Sequence, residues 1–266
     1  MLNLLRADFY KLLRRKSFYI CGILAIAVAC LSVVIENMSF TYKLHSMGMD
    51  FDSLPAMYRL YFSGISAFPR TIALGSIFIT IIVSMFISSE FSFGTMKNII
   101  SAGKSRVSIY TSKLIMVLVI STIYILLCGL AGFTTGSIIW GVGEITRTEY
   151  LELFRIIGLI IAVEFSMQAL FTMIGFLVRT TGAAITINLI IGTVISGSLP
   201  IINVVFRILL SVEDFDIVKY WPYTYLGVFN QFEIPTEQIT TGLIVCAVTL
   251  VASTLIGMFT FQKRDI

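Results

Sequence analysis

Long charge-free apolar runs set the pattern of this chain. Ser17 to Ile35, Thr71 to Ser89, Leu114 to Gly143, Thr180 to Phe206 and Gln238 to Gln262 each reach or exceed the roughly 18 residues that let a helix cross hydrocarbon. A sixth run, Ile156 to Val178, is broken only by Glu164. The pattern predicts an all-α integral membrane protein forming one transmembrane domain over 1–266, with six spans at about 17–36, 71–89, 114–135, 156–178, 183–206 and 239–261. Ahead of them, Leu2, Leu5, Phe9, Leu12 and Leu13 recur at helical spacing, with Arg6, Asp8, Lys11, Arg14 and Arg15 on the other side. Residues 1–16 therefore read as an amphipathic helix lying along the bilayer surface. Residues 37–70 read as an outer loop interrupted by Gly48, Pro55, Gly64 and Pro69. The stretch 207–238 contains Trp221-Pro222-Tyr223-Thr224-Tyr225-Leu226-Gly227, too aromatic for a free loop, and predicts short re-entrant or interfacial helices.

Composition agrees with this picture: 57% of residues are hydrophobic and 13% charged, against roughly 45–50% and about 25% in soluble domains. The four cysteines lie scattered inside the apolar runs without metal-site or disulfide spacing, and the single histidine, His45, sits in a polar loop. A multi-histidine metal site and a histidine-dependent triad are thereby excluded. The first apolar run continues past Cys30 to Ile35, beyond the roughly 7–15-residue core of a cleaved signal, so it reads as a retained helix.

Charge then orients the spans. With a cytoplasmic N-terminus, the inner segments 1–16, 90–113, 179–182 and 263–266 hold twelve of the nineteen Lys and Arg, while the outer side holds eleven of the fifteen acids, counting Glu36 at the outer end of span one. The basic bias sits inside, which also returns the C-terminus to the cytoplasm. The net charge of +4 is accounted for by anionic lipid, with no need of nucleic acid.

Polar positions inside the spans are the candidates for function. In span two, Ser76, Thr80, Ser84 and Ser88 recur every fourth residue and give one face a stripe of small hydroxylated side chains. In span five, Asn188, Gly192, Ser196 and Pro200 do the same. Either face serves as a close-packed helix seam, including one between two chains, or as the lining of a solute path. In span four, Glu164 has Gln168 one turn on. A carboxyl at mid-membrane must face protein or water, as an interhelical hydrogen bond or as a polar contact for substrate.

Between spans two and three, Gly103-Lys104-Ser105 has part of a phosphate-binding loop. Asn98 stands where the pattern needs glycine, and a membrane helix where it needs a strand, so nucleotide binding by this chain is rejected. That segment carries a different likeness. It opens with Glu90 and the pair Gly94-Thr95, and continues through apolar positions and a small, basic turn to Lys113. With the amphipathic lead helix, the six spans and the aromatic segment before the last span, it resembles the permease subunit of type-2 ABC exporters.

The resemblance implies that 90–113 is a coupling segment docking into a separate nucleotide-binding subunit. Phe91, Phe93 and Met96 would be its apolar anchors, Lys97, Lys104 and Arg106 its polar rim, with Glu90, Gly94 and Thr95 at its start. It implies further that two permease chains, as a homodimer, work with two copies of a soluble ABC ATPase. ATP and Mg would be held by that partner, and this chain would carry no cofactor, metal or catalytic residue. The setting implied is a bacterial plasma membrane and the activity is export of a hydrophobic or amphipathic cargo such as an antimicrobial peptide, bacteriocin or antibiotic. The alternative is an ion-coupled secondary transporter in which Glu164 titrates; such carriers usually show an internal repeat, and none is evident here.

Overall fold

The computed structural model describes residues 2–49, 58, 61–143, 147–210, 216–229 and 234–263. Pro55, Arg59, Glu144 and the C-terminal Arg264 lie outside the described residues.

Helix α1 (Leu2–Leu13) precedes α2 (Lys16–Met47), α3 (Gly64–Ser92), the short α4 (Thr95–Ser101), α5 (Arg106–Trp140) and α6 (Arg147–Val178). Then come α7 (Thr181–Leu189), a π-helical turn (Ile190–Ile195) and α8 (Ser196–Leu210), which together form the fifth span. A 3-10 turn (Val218–Tyr220) and α9 (Thr224–Phe229) lead to α10 (Thr236–Lys263). Six helical stretches are long and apolar enough to cross a membrane, and no strand occurs among the described residues. The all-α membrane class follows.

The helices are longer than the hydropathy pattern predicts. Helix α2 has 32 residues, about 48 Å at the helical rise, against roughly 30 Å of hydrocarbon. Residues 37–47, expected in a loop, continue this helix, which stops where Gly48 adopts φ 65° and its N–H bonds the His45 carbonyl at 3.2 Å. The overhang is steadied by the Trp140 indole N–H donating to Asn37 Oδ1 at 2.8 Å. Gly64 and Pro69 are likewise helical and do not interrupt a loop. The amides of Gly64 and Ile65 donate to the carbonyls of Gly141 and Val142, so α3 starts with donors satisfied by the turn after α5.

Helices α3 and α5 form the central pair, with α2 and α6 packed on them and α10 on α6. Small residues let α3 and α5 approach. A Cβ on Gly132 would stand 2.2 Å from Thr71 Oγ1, and one on Gly129 2.6 Å from the Phe68 ring. At the same seam Thr71 donates its hydroxyl to the Cys128 carbonyl at 3.0 Å. Without a hydrophobic drive between helices in lipid, this packing is what holds the pair. In the fifth span, Pro200 lacks an N–H, and the wider turn ahead of it lets the Ser196 hydroxyl reach the Ile191 carbonyl at 3.1 Å.

All the connections on one side gather together. Lys11 of α1 pairs with Glu90, the Ser92 hydroxyl donates to the Arg179 carbonyl, and Arg106 donates to the Phe261 and Gln262 carbonyls. The end carrying α1 thus holds α4, the start of α5, the α6–α7 turn and the end of α10. Replacing Gly132 with Val should drive α3 and α5 apart at a cost of about 1–3 kcal/mol. The melting temperature in detergent should fall by several degrees, while the same change at Gly158, which has open space around it, should leave it unmoved.

Candidate functional site

At the α1 end, a buried ion cluster joins three segments far apart in sequence. The Lys113 ammonium lies 2.7 Å from Asp8 Oδ1 and 2.8 Å from Glu90 Oε1, and Lys11 approaches the same Glu90 oxygen at 3.2 Å. The Ser112 hydroxyl donates to Asp8 Oδ2 at 3.3 Å, and Lys113 also sits 4.8 Å from the centroid of the Phe86 ring. The Arg15 guanidinium donates to the Met85 carbonyl at 3.1 Å. Burial lowers its pKa, and the carboxylates of Glu90 and Asp8 oppose that shift.

This corrects the lead-helix pattern. Asp8 does not lie on the solvent side: with Leu12 it is the buried face of α1, while Leu2, Phe9 and Leu13 remain exposed. The signal was present in the sequence, since Asp8 is the lone acid of 1–16 and lies one turn from Leu12. Lys113 also belongs among the residues that matter.

Among the residues expected on the coupling surface, the structure separates two groups. Phe93 is 79% exposed, and Lys97 and Lys104 are exposed with it. Gly94, at φ 69°, and Gly103, at φ 76°, bound α4 with left-handed turns that favour glycine. Thr95 opens the helix, its hydroxyl donating to the Glu90 carbonyl at 3.2 Å. The remaining four face inward. Met96 is 1% exposed and is a core residue, not an outward anchor. Phe91 packs edge-on against Phe176 and Phe261. Glu90 belongs to the ion cluster, and Arg106 binds the last turn of α10.

A second polar group runs through the interior. Ser76, Thr80, Ser84 and Ser88 of α3 are all buried, and the last three donate to the carbonyl one turn before at 2.8, 2.7 and 2.5 Å. Ser76 donates instead to Glu164 Oε1, whose other oxygen accepts from Gln168 Nε2 at 3.3 Å. Ser84 accepts from Asn188 Nδ2 at 2.8 Å, and the same amide donates to the Phe171 carbonyl at 3.3 Å. The stripe therefore lies inside one chain, against α6 and α7, and its hydroxyls do not form an outer surface.

The fifth-span face is divided. Asn188 is buried in this ladder, whereas Gly192 lies near Phe171 and Tyr223, where a Cβ would stand 3.2 and 3.6 Å from their rings. Ser196 accepts from the Trp221 indole at 2.8 Å. The aromatic segment thus reaches into the bundle, and the Tyr223 hydroxyl is buried beside Ser76, Thr80 and Glu164. Composition had flagged the segment, but only the fold brings Tyr223 to Glu164.

Lys113→Met should leave Asp8 and Glu90 buried without their shared cation and cost about 3–5 kcal/mol. The triple variant Asp8→Asn, Glu90→Gln, Lys113→Met should recover much of that loss, as read by thermal melting in detergent.

Comparison with curated proteins gave no match. A family model described as "ABC-2 family transporter protein" matches residues 4–196, which include most of α1, the ion cluster, α4 and the Glu164 ladder. That match covers well over half of the sequence, and the chain belongs to the ABC-2 family of transporter proteins.

Proposed function

We propose that this chain is the transmembrane subunit of an ATP-driven exporter. It forms half of the translocation path for a hydrophobic or amphipathic cargo such as a peptide, bacteriocin or antibiotic. The family is a transport membrane component, not itself catalytic, and implies association with an ABC ATPase. In this reading ATP and Mg are held by two soluble ATPase copies, the α1 end is cytoplasmic, and the membrane is the plasma membrane of a bacterium.

The observation that carries the coupling role is the build of α4. One of its faces is anchored by Met96 in the core, while the preceding Phe93 and the neighbouring Lys97 stand clear of the protein. A short helix fixed on one side and bare on the other can transmit a rigid-body displacement from a bound partner to the spans. A bare aromatic followed by the exposed Lys97 and Lys104 has the composition of an interface anchor with a polar rim. The ion cluster ties α4's neighbour Glu90 to α1, so the lead helix would move with the coupling segment.

A second permease copy completes the path in this proposal. The fifth span presents Val194, Ile201 and Ile208 outward at 61%, 68% and 73% exposure, and this is the face on which the partner would pack. The ion-coupled alternative draws its support from Glu164, a buried acid with no basic partner among the described residues.

The test is reconstitution with the soluble ABC ATPase that this reading requires, sought first in the adjacent reading frame. Phe93→Asp and Lys97→Glu should abolish stimulation of ATP hydrolysis and co-purification while leaving the melting temperature unchanged, whereas Met96→Asp should unfold the α1 end. Uptake into vesicles driven by a proton or sodium gradient, with no ATPase present, would replace the exporter reading with the ion-coupled one. Separately, single cysteines at Val194 or Ile201 should crosslink between chains in membranes, and cysteines at Ser84 or Ser88 should not.

A further inference from the structure

The interior acid has no counter-charge. Glu164 is fully buried, and its carboxylate receives only neutral donors, the Ser76 hydroxyl and the Gln168 amide. Among the described residues no lysine or arginine pairs with it. The other titratable groups facing it, Tyr223 and Cys128, supply no positive charge in either protonation state. A buried carboxyl in this setting is stabilised by whatever brings a cation to it.

Two more atoms share the same deficit. Gln168 Oε1 and Asn188 Oδ1 are buried without a hydrogen-bond partner, on side chains that are 0% exposed. Their orientation is fixed by chemistry. The Phe171 carbonyl can only accept, so the Asn188 atom facing it must be the nitrogen, and the Gln168 atom facing Glu164 is the nitrogen when that acid is ionised. What remains open on both amides is an acceptor, and a buried acceptor left unpaired is costly. The unpaired Tyr223 hydroxyl beside them is a neutral donor and brings no charge; the two amide oxygens still lack donors and the acid its counter-charge, and one kind of ligand supplies both.

One side chain links the acid to the periphery of the bundle. Tyr223 is only partly buried as a residue, yet its hydroxyl is buried next to Glu164, so its ring reaches from the periphery to the acid. It packs edge-on to Phe171 at 6.3 Å between ring centroids, and the missing side chain of Gly192 leaves it space. Both rings offer π faces that tolerate a passing cation.

We propose that Glu164, Gln168 and Asn188, stoppered by Tyr223, form a binding site for a protonated amine. The ammonium supplies the carboxylate with its counter-charge and the amide oxygens with N–H donors, while the apolar walls of the bundle accept the alkyl part of the molecule. This rests on the exporter reading and deepens it by naming the group on the cargo that is recognised.

The test uses the full chain in zwitterionic lipid nanodiscs, with a fluorescent long-chain primary alkylamine and its N-acetylated, uncharged counterpart as probes. The unmodified protein should bind the amine on the order of tenfold more tightly than the acetylated form. Glu164→Gln should make the two affinities equal without changing that of the acetylated form. Gln168→Leu, which keeps the carboxylate and serves should Glu164→Gln not fold, should lower amine affinity several-fold. Tyr223→Ala should speed association of the amine and keep the preference. Equal binding of both probes by the unmodified protein, a preference surviving Glu164→Gln, undiminished amine binding in Gln168→Leu, or unchanged association in Tyr223→Ala would overturn the proposal. Stimulation of the ATPase, read in the same nanodiscs, separates the two readings: its absence refutes the exporter, whereas its presence without amine preference refutes only this site.

Discussion

The Lys113 ammonium, enclosed by Asp8, Glu90 and the face of Phe86, is the interaction on which the α1 end depends. Removing three charges from water is expensive, and the expense is recovered only if all the partners arrive together. Lys113 is at the base of the third span, Glu90 at the foot of the second, and Asp8 in a helix that precedes the first. None of the three can be buried alone, so the cluster fixes the lead helix against the bundle and fixes the level at which α4 hangs. The exposed side of α4 is consequently held at a defined height and angle to the bundle.

A different rule governs the interior. There the polar groups are neutral or carry a single acid, and most hydroxyls return their proton to the backbone of their own helix. This satisfies donors without engaging another helix, so the stripe on α3 is compatible with close packing and still offers lone pairs inward. Asn188 takes up one of these from Ser84. Ion pairs thus hold the α1 end together, and neutral hydrogen bonds hold the interior around Glu164.

Much of this was legible in the sequence. Span number and approximate position follow from the length of the apolar runs, because lipid allows few alternatives to a helix. Helix ends were less legible, since α3 runs through Pro69 in its second turn at the loss of one backbone bond, and residues 37–47 are polar enough to look like a loop while still helical. Periodicity placed Asp8 with the charged residues because it counts polarity and not partnership; its counter-ion lies 105 positions away. The same limit applied to the coupling segment. Spacing cannot tell that Met96 turns inward and Phe93 outward, because a seven-residue helix between two glycine turns has no long face from which to read a direction. The Ser76 to Ser88 stripe was visible as a stripe, but which helix it meets is a property of packing.

The contact between Arg106 and the last carbonyls of the sixth span, Phe261 and Gln262, has a mechanical consequence. The guanidinium binds the carbonyl end of α10, where its positive charge also complements the helix dipole. The strut joins the residue at which α5 begins to the point at which α10 leaves the bundle. A tilt imposed on the head of α5 would therefore swing α10 at its base, and α10 is packed along α6, the helix bearing the interior acid. The opposite end has its own ties, the Arg70–Glu36 ion pair and the Trp140–Asn37 hydrogen bond, so that such a tilt would be levered between two braced ends.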